Sequence, residues 1–194
     1  MNKIIAGLVA GVVLACTNSA SALETKVLPP FKHLKWGMRE SALTMPKSFT
    51  PFANKMPDAL GFNGRVGRDD AAIVLGVTPK SRKLWRVIMI LGDEATYSTA
   101  KVNFHGYHEL LVSKYGLPSN TYDYFTAPYE AGDGYENTAL STGNYKLISF
   151  WMDLQEGVVS AELTKSGWTR LAYESREFSD LNTKETNELA SETL

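Results

Sequence analysis

Two apolar runs separated by six residues constrain the fold of this chain more than any other feature. They read AAIVLGV from Ala71 to Val77 and LWRVIMIL from Leu84 to Leu91. Short apolar runs rich in β-branched residues are typical of strands, and the intervening TPKSRK favours a hairpin loop. Because both runs are apolar almost throughout, they are expected to lie centrally in a sheet, where neighbours cover both sides.

The segment that follows predicts an amphipathic helix from Tyr97 to Tyr115. Its apolar residues recur at steps of three and four and form one stripe: Tyr97, Ala100, Phe104, Tyr107, Leu111 and Tyr115. Asp93 to Thr96 supply acidic and capping groups at the start, while Gly116 and Pro118 suit the end. A helix of this kind is expected to pack on one face of the sheet.

The remaining strands are predicted on both alternation and turn signals. They are Tyr122–Thr126, Tyr145–Met152, Val158–Leu163 and Trp168–Tyr173. Gln155–Gly157 and Lys165–Gly167 read as turns, which makes the last three strands a meander. On the N-terminal side, apolar residues at helical spacing after Pro46 predict a shorter helix that ends at Gly61.

These elements predict an α+β domain over residues 23–175. Its antiparallel sheet is expected to have about five or six strands, with the long amphipathic helix on one face and a shorter N-terminal helix. Residues 176–194 are polar and have no hydrophobic stripe, so they are interpreted as a frayed or partly helical tail.

The length, apolar content and charge balance of the chain limit the classes of function that it can have. The chain has 194 residues, 44% of them apolar, so it can bury a core as one domain. It carries 20 basic and 21 acidic residues. A principal nucleic-acid partner is not expected, because phosphate binding needs a clustered basic excess.

The N-terminal segment predicts export. Residues 1–22 place a lysine before an apolar run, Ile4 to Ala15, which is too short to span a bilayer but suits a signal peptide. The small residues Ala20 and Ala22 suit a signal peptidase, so cleavage before Leu23 would release a periplasmic or secreted protein.

A lipid anchor is the alternative for the same segment. Val13 to Cys16, VLAC, resembles the lipobox of bacterial lipoproteins, and Cys16 would then carry the lipid as the chain's only membrane contact. Cys16 is the only cysteine, so the mature chain has no disulfide in either case. Its stability must come from a packed core.

The long helix leads into an aromatic and acidic segment, residues 114–135. The favoured interpretation is structural, with the tyrosines packed into the sheet or against the helix and Asp133-Gly134 as a turn. The alternative is a sugar-binding platform, because tyrosine rings pack on the apolar faces of pyranoses. The candidate ligand-binding residues are Tyr122, Tyr124, Tyr129 and Tyr135.

Catalytic and metal chemistry have weaker signals. The acids Asp123, Glu130, Asp133 and Glu136 are numerous enough for a glycosidase pair, but nothing in the sequence pairs or buries two of them. His105 and His108 share a helix strip with Lys101, whose charge would oppose a cation, so a solvated face is expected there. No nucleophile elbow or glycine-rich phosphate loop occurs, and no catalytic residue, metal or cofactor is predicted.

The second half of the chain resembles a group of uncharacterised secreted or periplasmic proteins from Bacteroidetes. The resemblance rests on WRVIMILGD, a helix ending in KYGLP, the segment PYEAGDGYE and a closing strand pair ending in YE. It covers about residues 84 to 175. The resemblance implies an exported α+β domain and implies no chemistry.

The sequence therefore predicts an exported, non-enzymatic binding module of the bacterial envelope or the medium. Its ligand is expected to be a glycan, a peptide or another envelope protein. The alternative is a carboxylate-based hydrolase that acts on a glycan.

Metabolic labelling with a palmitate analogue tests the signal segment. The exported chain should remain unlabelled, because cleavage after Ala22 removes Cys16. Label that is present in the parent chain and disappears in a Cys16→Ser variant would instead establish the lipid anchor.

Overall fold

The computed structural model describes residues 26–192, which build one eight-stranded antiparallel sheet and three α-helices. The strands are β1 Thr50–Pro51, β2 Ala59–Val66, β3 Asp69–Val77, β4 Leu84–Leu91, β5 Asn120–Phe125, β6 Tyr145–Trp151, β7 Gly157–Leu163 and β8 Thr169–Ser175. The helices are α1 Tyr97–Tyr115, α2 Glu136–Thr142 and α3 Arg176–Glu192, and a 3-10 turn covers Glu40–Ala42. The predicted signal segment and Cys16 lie outside the described residues.

The sheet consists of two four-stranded meanders that meet at its centre. The strand order is β1-β2-β3-β4-β8-β7-β6-β5, and β4 pairs with β8. Each meander is followed in the chain by a long helix, α1 after the first and α3 after the second. All pairs of neighbouring strands are antiparallel.

One face of the sheet carries the core. The register aligns Ile73, Met89, Leu171 and Ala161 on neighbouring strands, and all four are buried. Buried and partly exposed residues alternate along β3, β6 and β7, as the two-residue period of a strand requires. The second face of the sheet is therefore partly exposed.

Helix α1 covers the core face of the second meander. It contacts β7 and β8 and buries Phe104 and Leu111. The indole N–H of Trp151 in β6 donates a hydrogen bond of 2.8 Å to the carbonyl of Gly116, which ends the helix. The helix predicted over Tyr97–Tyr115 is confirmed with those bounds.

The chain before β2, residues 27–52, covers much of the rest of the core. Leu34 and Leu43 are buried although the chain around them has little regular structure. The Phe49 ring lies directly over Gly64 of β2, where an added Cβ would come within 2.5 Å of the ring. Because a larger residue would displace the ring, Gly64 makes room for it within the strand.

The predicted fold is wrong in its strand and helix content. The sheet has eight strands, not five or six. The shorter N-terminal helix does not exist, since residues 50–51 and 59–66 are strands β1 and β2. The apolar residues Phe49 and Phe52 follow a helical spacing by coincidence: their rings cover Gly64 and Gly61 of β2.

Helix α3 occupies the segment that was expected to be a frayed or partly helical tail. It contacts β4 and β8, and the ring of Phe178 lies against Gly37. The buried carboxylate of Glu185 accepts hydrogen bonds from the backbone N–H groups of Lys80, at 2.7 Å, and Ser81, at 2.9 Å. The buried Glu185 is one anchor of this helix to the turn between β3 and β4, and hydrophobic periodicity does not reveal it.

Replacing Glu185 tests this anchor. Glu185→Ala should lower the free energy of unfolding by about 1.5–3 kcal/mol, because two turn N–H groups lose a charged acceptor. The matched control on the same helix is the exposed Glu177, whose change to Ala should cost less than about 0.5 kcal/mol. Equal losses in urea denaturation would contradict the assignment.

The effect of Glu185 should also depend on pH. Burial alone would raise the pKa of Glu185, but hydrogen bonds from Ser81, Lys80 and Thr78 outweigh it and lower the pKa. A lowered folded-state pKa stabilises the fold above the ordinary glutamate pKa, and this stabilisation is lost as pH falls through the folded value. The stability difference between the parent and Glu185→Ala should therefore shrink from about pH 7 to about pH 3.

Candidate functional site

Strand β5 forms one edge of the sheet and presents two tyrosines on the face opposite α1. Tyr122 and Tyr124 are two residues apart, so they share a face. Tyr122 is 48% exposed and Tyr124 is 47% exposed. The structural interpretation of these two tyrosines is wrong, because neither packs into the core.

The other two candidate tyrosines lie elsewhere. Tyr129 is partly buried and packs against the hydrophobic core. Tyr135 is 62% exposed and precedes α2, whose Ala139 and Leu140 are buried. The structure thus brings Tyr122 and Tyr124 together and leaves Tyr129 and Tyr135 outside their surface.

Strand β6 completes the surface with residues that sequence reasoning did not single out. Tyr122 pairs with Ile148, and Tyr124 pairs with Lys146. The Phe150 ring lies 6.2 Å from the Tyr122 ring at 78°, an edge-to-face arrangement. We refer to Tyr122, Tyr124, Lys146, Ile148 and Phe150 as the aromatic patch. The alternation in YKLISFW groups the three β6 residues, but only the register places them beside the tyrosines.

The ends of the aromatic patch are polar. Asn120 lies on the same face of β5 and pairs with Phe150. Lys146 is partly exposed and makes no ion pair within residues 26–192. From Asn120 to Tyr124 the strand extends about 14 Å. The patch therefore offers apolar ring faces between an amide and an ammonium group.

A polar network fixes β5 from the opposite side. The Asp123 carboxylate accepts a hydrogen bond from the Tyr145 hydroxyl at 2.7 Å and an ion-paired bond from the Lys101 ammonium at 3.0 Å. Burial and the Asp123 carboxylate both raise the pKa of Tyr145 above its ordinary value. Burial opposes the charge on Lys101, but Asp123 outweighs it and the pKa of Lys101 is raised. Helix α1 is thereby tied to the edge strand.

The acids of the aromatic segment serve mainly to hold its shape. Asp133 accepts hydrogen bonds from the N–H groups of Glu130, at 3.0 Å, and Tyr135, at 2.7 Å. Glu136 accepts one from Gly132 at 3.0 Å. Together with Asp123, these carboxylates are engaged by the protein's own donors, and none of them lines the three cavities around Trp36, Tyr107 and Asn137.

The histidines do not form a site of their own. His105 is exposed as expected, but His108 is partly buried against Phe104 and Trp151, with ring centroids 5.9 Å and 5.4 Å away. Burial and the nearby His105 lower the pKa of His108. Within residues 26–192 no group of three or more His, Cys, Asp or Glu residues is arranged to hold a metal ion. The prediction of a solvated face is wrong for His108 and for the paired Lys101.

None of the helices described within residues 26–192 has the length and apolar character needed to cross a membrane. Comparisons with protein-family models, with curated proteins and with solved structures find no match to this chain. The chemistry of the aromatic patch therefore rests on its own geometry.

Alanine substitutions test whether the two patch tyrosines are dispensable for folding. Tyr122→Ala and Tyr124→Ala should each lower the free energy of unfolding by no more than about 1 kcal/mol, the scale of an exposed cross-strand pair. Tyr145→Ala, on the buried face of the neighbouring strand, should cost about 3–5 kcal/mol. Comparable losses at all three positions would show that the patch belongs to the core.

Proposed function

We propose that this protein is an exported, non-enzymatic binding module and that the aromatic patch binds a glycan. The observation that carries the proposal is the pair of half-exposed tyrosines, Tyr122 and Tyr124, on one face of an edge strand. Folded chains rarely leave several large aromatic rings together in water without a use for them. A binding role gives these rings their partner.

The chemistry of the patch suits a sugar chain. Tyrosine and phenylalanine rings pack against the C–H faces of pyranoses, while the phenol hydroxyls remain free to hydrogen-bond sugar hydroxyls. Asn120 and Lys146 add donors at the two ends. Because the patch extends along a strand, it favours an oligosaccharide over a single sugar.

The network beneath the patch supports affinity. Asp123 is held by Lys101 and Tyr145, so β5 is fixed to β6 and to α1 before any ligand arrives. A surface that is ordered beforehand loses less entropy on binding. Rigid strand-borne rings are accordingly better suited to a shallow glycan site than loop-borne ones.

The predicted location agrees with this role. A signal segment over residues 1–22 and the resemblance to secreted Bacteroidetes proteins both favour the periplasm or the medium, where glycans are abundant. An anchor at Cys16 would keep the patch at the envelope.

A carboxylate-based hydrolase is the alternative with less support. A glycosidase needs two carboxyl groups that flank one bond. Asp123 accepts a hydrogen bond from Tyr145, and Asp133 and Glu136 accept hydrogen bonds from the backbone of their own loop. None of the three lines the cavities around Trp36, Tyr107 and Asn137. The aromatic patch itself contains no carboxylate.

A glycan array followed by calorimetry tests the proposal. The parent chain should bind at least one oligosaccharide, and Tyr122→Ala and Tyr124→Ala should each weaken binding by at least about tenfold, or about 1.4 kcal/mol, because each removes one aromatic ring face from the patch. Tyr135→Ala is the matched control, an exposed tyrosine outside the patch, and should bind like the parent.

Three outcomes would overturn the proposal. The first is a parent chain that binds no glycan, and the second is binding that Tyr135→Ala weakens as much as Tyr122→Ala does. The third is binding of an extended peptide, in preference to glycans, that the tyrosine variants leave intact. That result would point to the free backbone edge of β5 instead.

A further inference from the structure

A second surface feature shares no residue with the aromatic patch. The segment from Leu28 to Trp36, the end of α1 and the start of α3 enclose a groove of about 1000 Å³. Its apolar lining comes from Leu28, Phe31, Leu34, Trp36 and Phe178. We refer to it as the basic groove, for the charges described below. We propose that the basic groove binds a long-chain fatty acid, with its acyl chain on the aromatic lining and its carboxylate at the lysine rim.

The lining of the basic groove is held in place without a ligand. The indole N–H of Trp36 donates a hydrogen bond of 2.7 Å to the carbonyl of Val27. The Phe31 ring packs edge-to-face on Phe49, with centroids 5.9 Å apart. Phe178 lies so close to Gly37 that a Cβ there would be 2.3 Å from the ring. The volume reaches the upper end of the usual range for small-molecule sites, which suits one acyl chain.

The charges at the rim decide the class of ligand. Five basic residues line the groove: Lys26, Lys32, Lys35, Lys114 and Arg176. Three acidic residues line it as well: Glu156, Glu177 and Asp180. The groove thus carries a net charge of +2, the difference of five and three, whereas the whole chain carries −1. This local excess favours an anion.

The basic side chains differ in how free they are. Lys26 is paired with Glu156 at 2.6 Å, and Arg176 donates to the carbonyl of Met152 at 3.0 Å. Lys32, Lys35 and Lys114 are exposed and make no ion pair within residues 26–192, but the Lys114 ammonium lies 4.8 Å from the centroid of the Tyr115 ring. Lys32 and Lys35 lie between Phe31, Leu34 and Trp36 in the sequence, so both ammonium groups are available to a carboxylate beside the aromatic lining.

The acids favour a singly charged head group. Glu177 and Asp180 stand on the α3 side of the groove and make no ion pair in the part of the chain described. They would repel a phosphate monoester, which carries between about one and two negative charges at neutral pH, more strongly than a carboxylate. A long-chain fatty acid combines one negative charge, which suits the lysine rim, with an apolar tail, which suits the aromatic lining.

Fluorescence titration with cis-parinaric acid, a fluorescent long-chain fatty acid, tests the proposal on the full chain. Binding should be saturable, and the uncharged methyl ester should bind at least about tenfold more weakly, since loss of one charge-assisted contact is worth about 1.4 kcal/mol or more. Leu28 is 53% exposed, so Leu28→Asp can place a charge on the apolar lining without disturbing the core. This variant should lose at least about tenfold in affinity.

Matched controls isolate the groove. Val102 is a 70% exposed apolar residue on α1 outside the groove, and Val102→Asp should bind like the parent. The double variant Lys32→Glu, Lys35→Glu should weaken binding of the acid and leave the methyl ester unchanged. Lys47→Glu with Lys55→Glu makes the same charge change at exposed positions elsewhere and should leave both titrations unchanged. Near-ultraviolet circular dichroism should confirm the same fold for each variant.

The proposal is wrong if parinaric acid binds without saturation or if its methyl ester binds as tightly. It is also wrong if the control variants lose affinity as the groove variants do. The basic groove and the aromatic patch share no residue. Loss of glycan binding in the tyrosine variants and loss of fatty-acid binding in the groove variants are therefore independent results.

Discussion

The pairing of β4 with β8 is the interaction on which the rest of the structure depends. It runs over six residue pairs, from Arg86 with Glu174 to Leu91 with Thr169, and is the only strand pairing between the two meanders in the described residues. Without it, each meander would end in an apolar strand with an unpaired edge. With it, the two halves share one core face, and α1 and α3 both take their positions from the joined centre.

The two faces of that joined sheet explain where a ligand can bind. The core face is covered by α1 and by residues 27–52, the chain before β2. The side chains that reach this face are therefore used for packing. At the edge strand β5 the alternation of side chains separates two roles within three residues. Asp123 points to the core side and ties the strand to α1, while Tyr122 and Tyr124 point to the exposed side. The aromatic patch exists because the register between β5 and β6 places the rings of both strands on the same exposed face.

Local pattern predicted the elements with strong periodicity and missed those that depend on distant partners. Strands β3 and β4 and helix α1 were predictable because their apolar residues repeat at two or at three to four positions. Strand β2 was not, because Gly61 and Gly64 interrupt its pattern to admit the rings of Phe52 and Phe49. The shared face of Tyr122 and Tyr124 followed from strand period, but which face it was depended on the register with β6, which places Asp123 opposite the buried Leu147.

The distance between β4 and β8 in the sequence determines when the sheet can be completed. Strand β4 is complete at residue 91, yet its partner β8 begins only at residue 169, after α1 and three further strands. A chain that emerges N-terminal end first therefore carries a finished apolar strand whose free edge waits for the last strand of the sheet. Such an edge can recruit strands from other chains. During folding, β8 therefore competes with strands of other chains for the free edge of β4. Any factor that keeps newly made chains apart would raise the yield of folded protein.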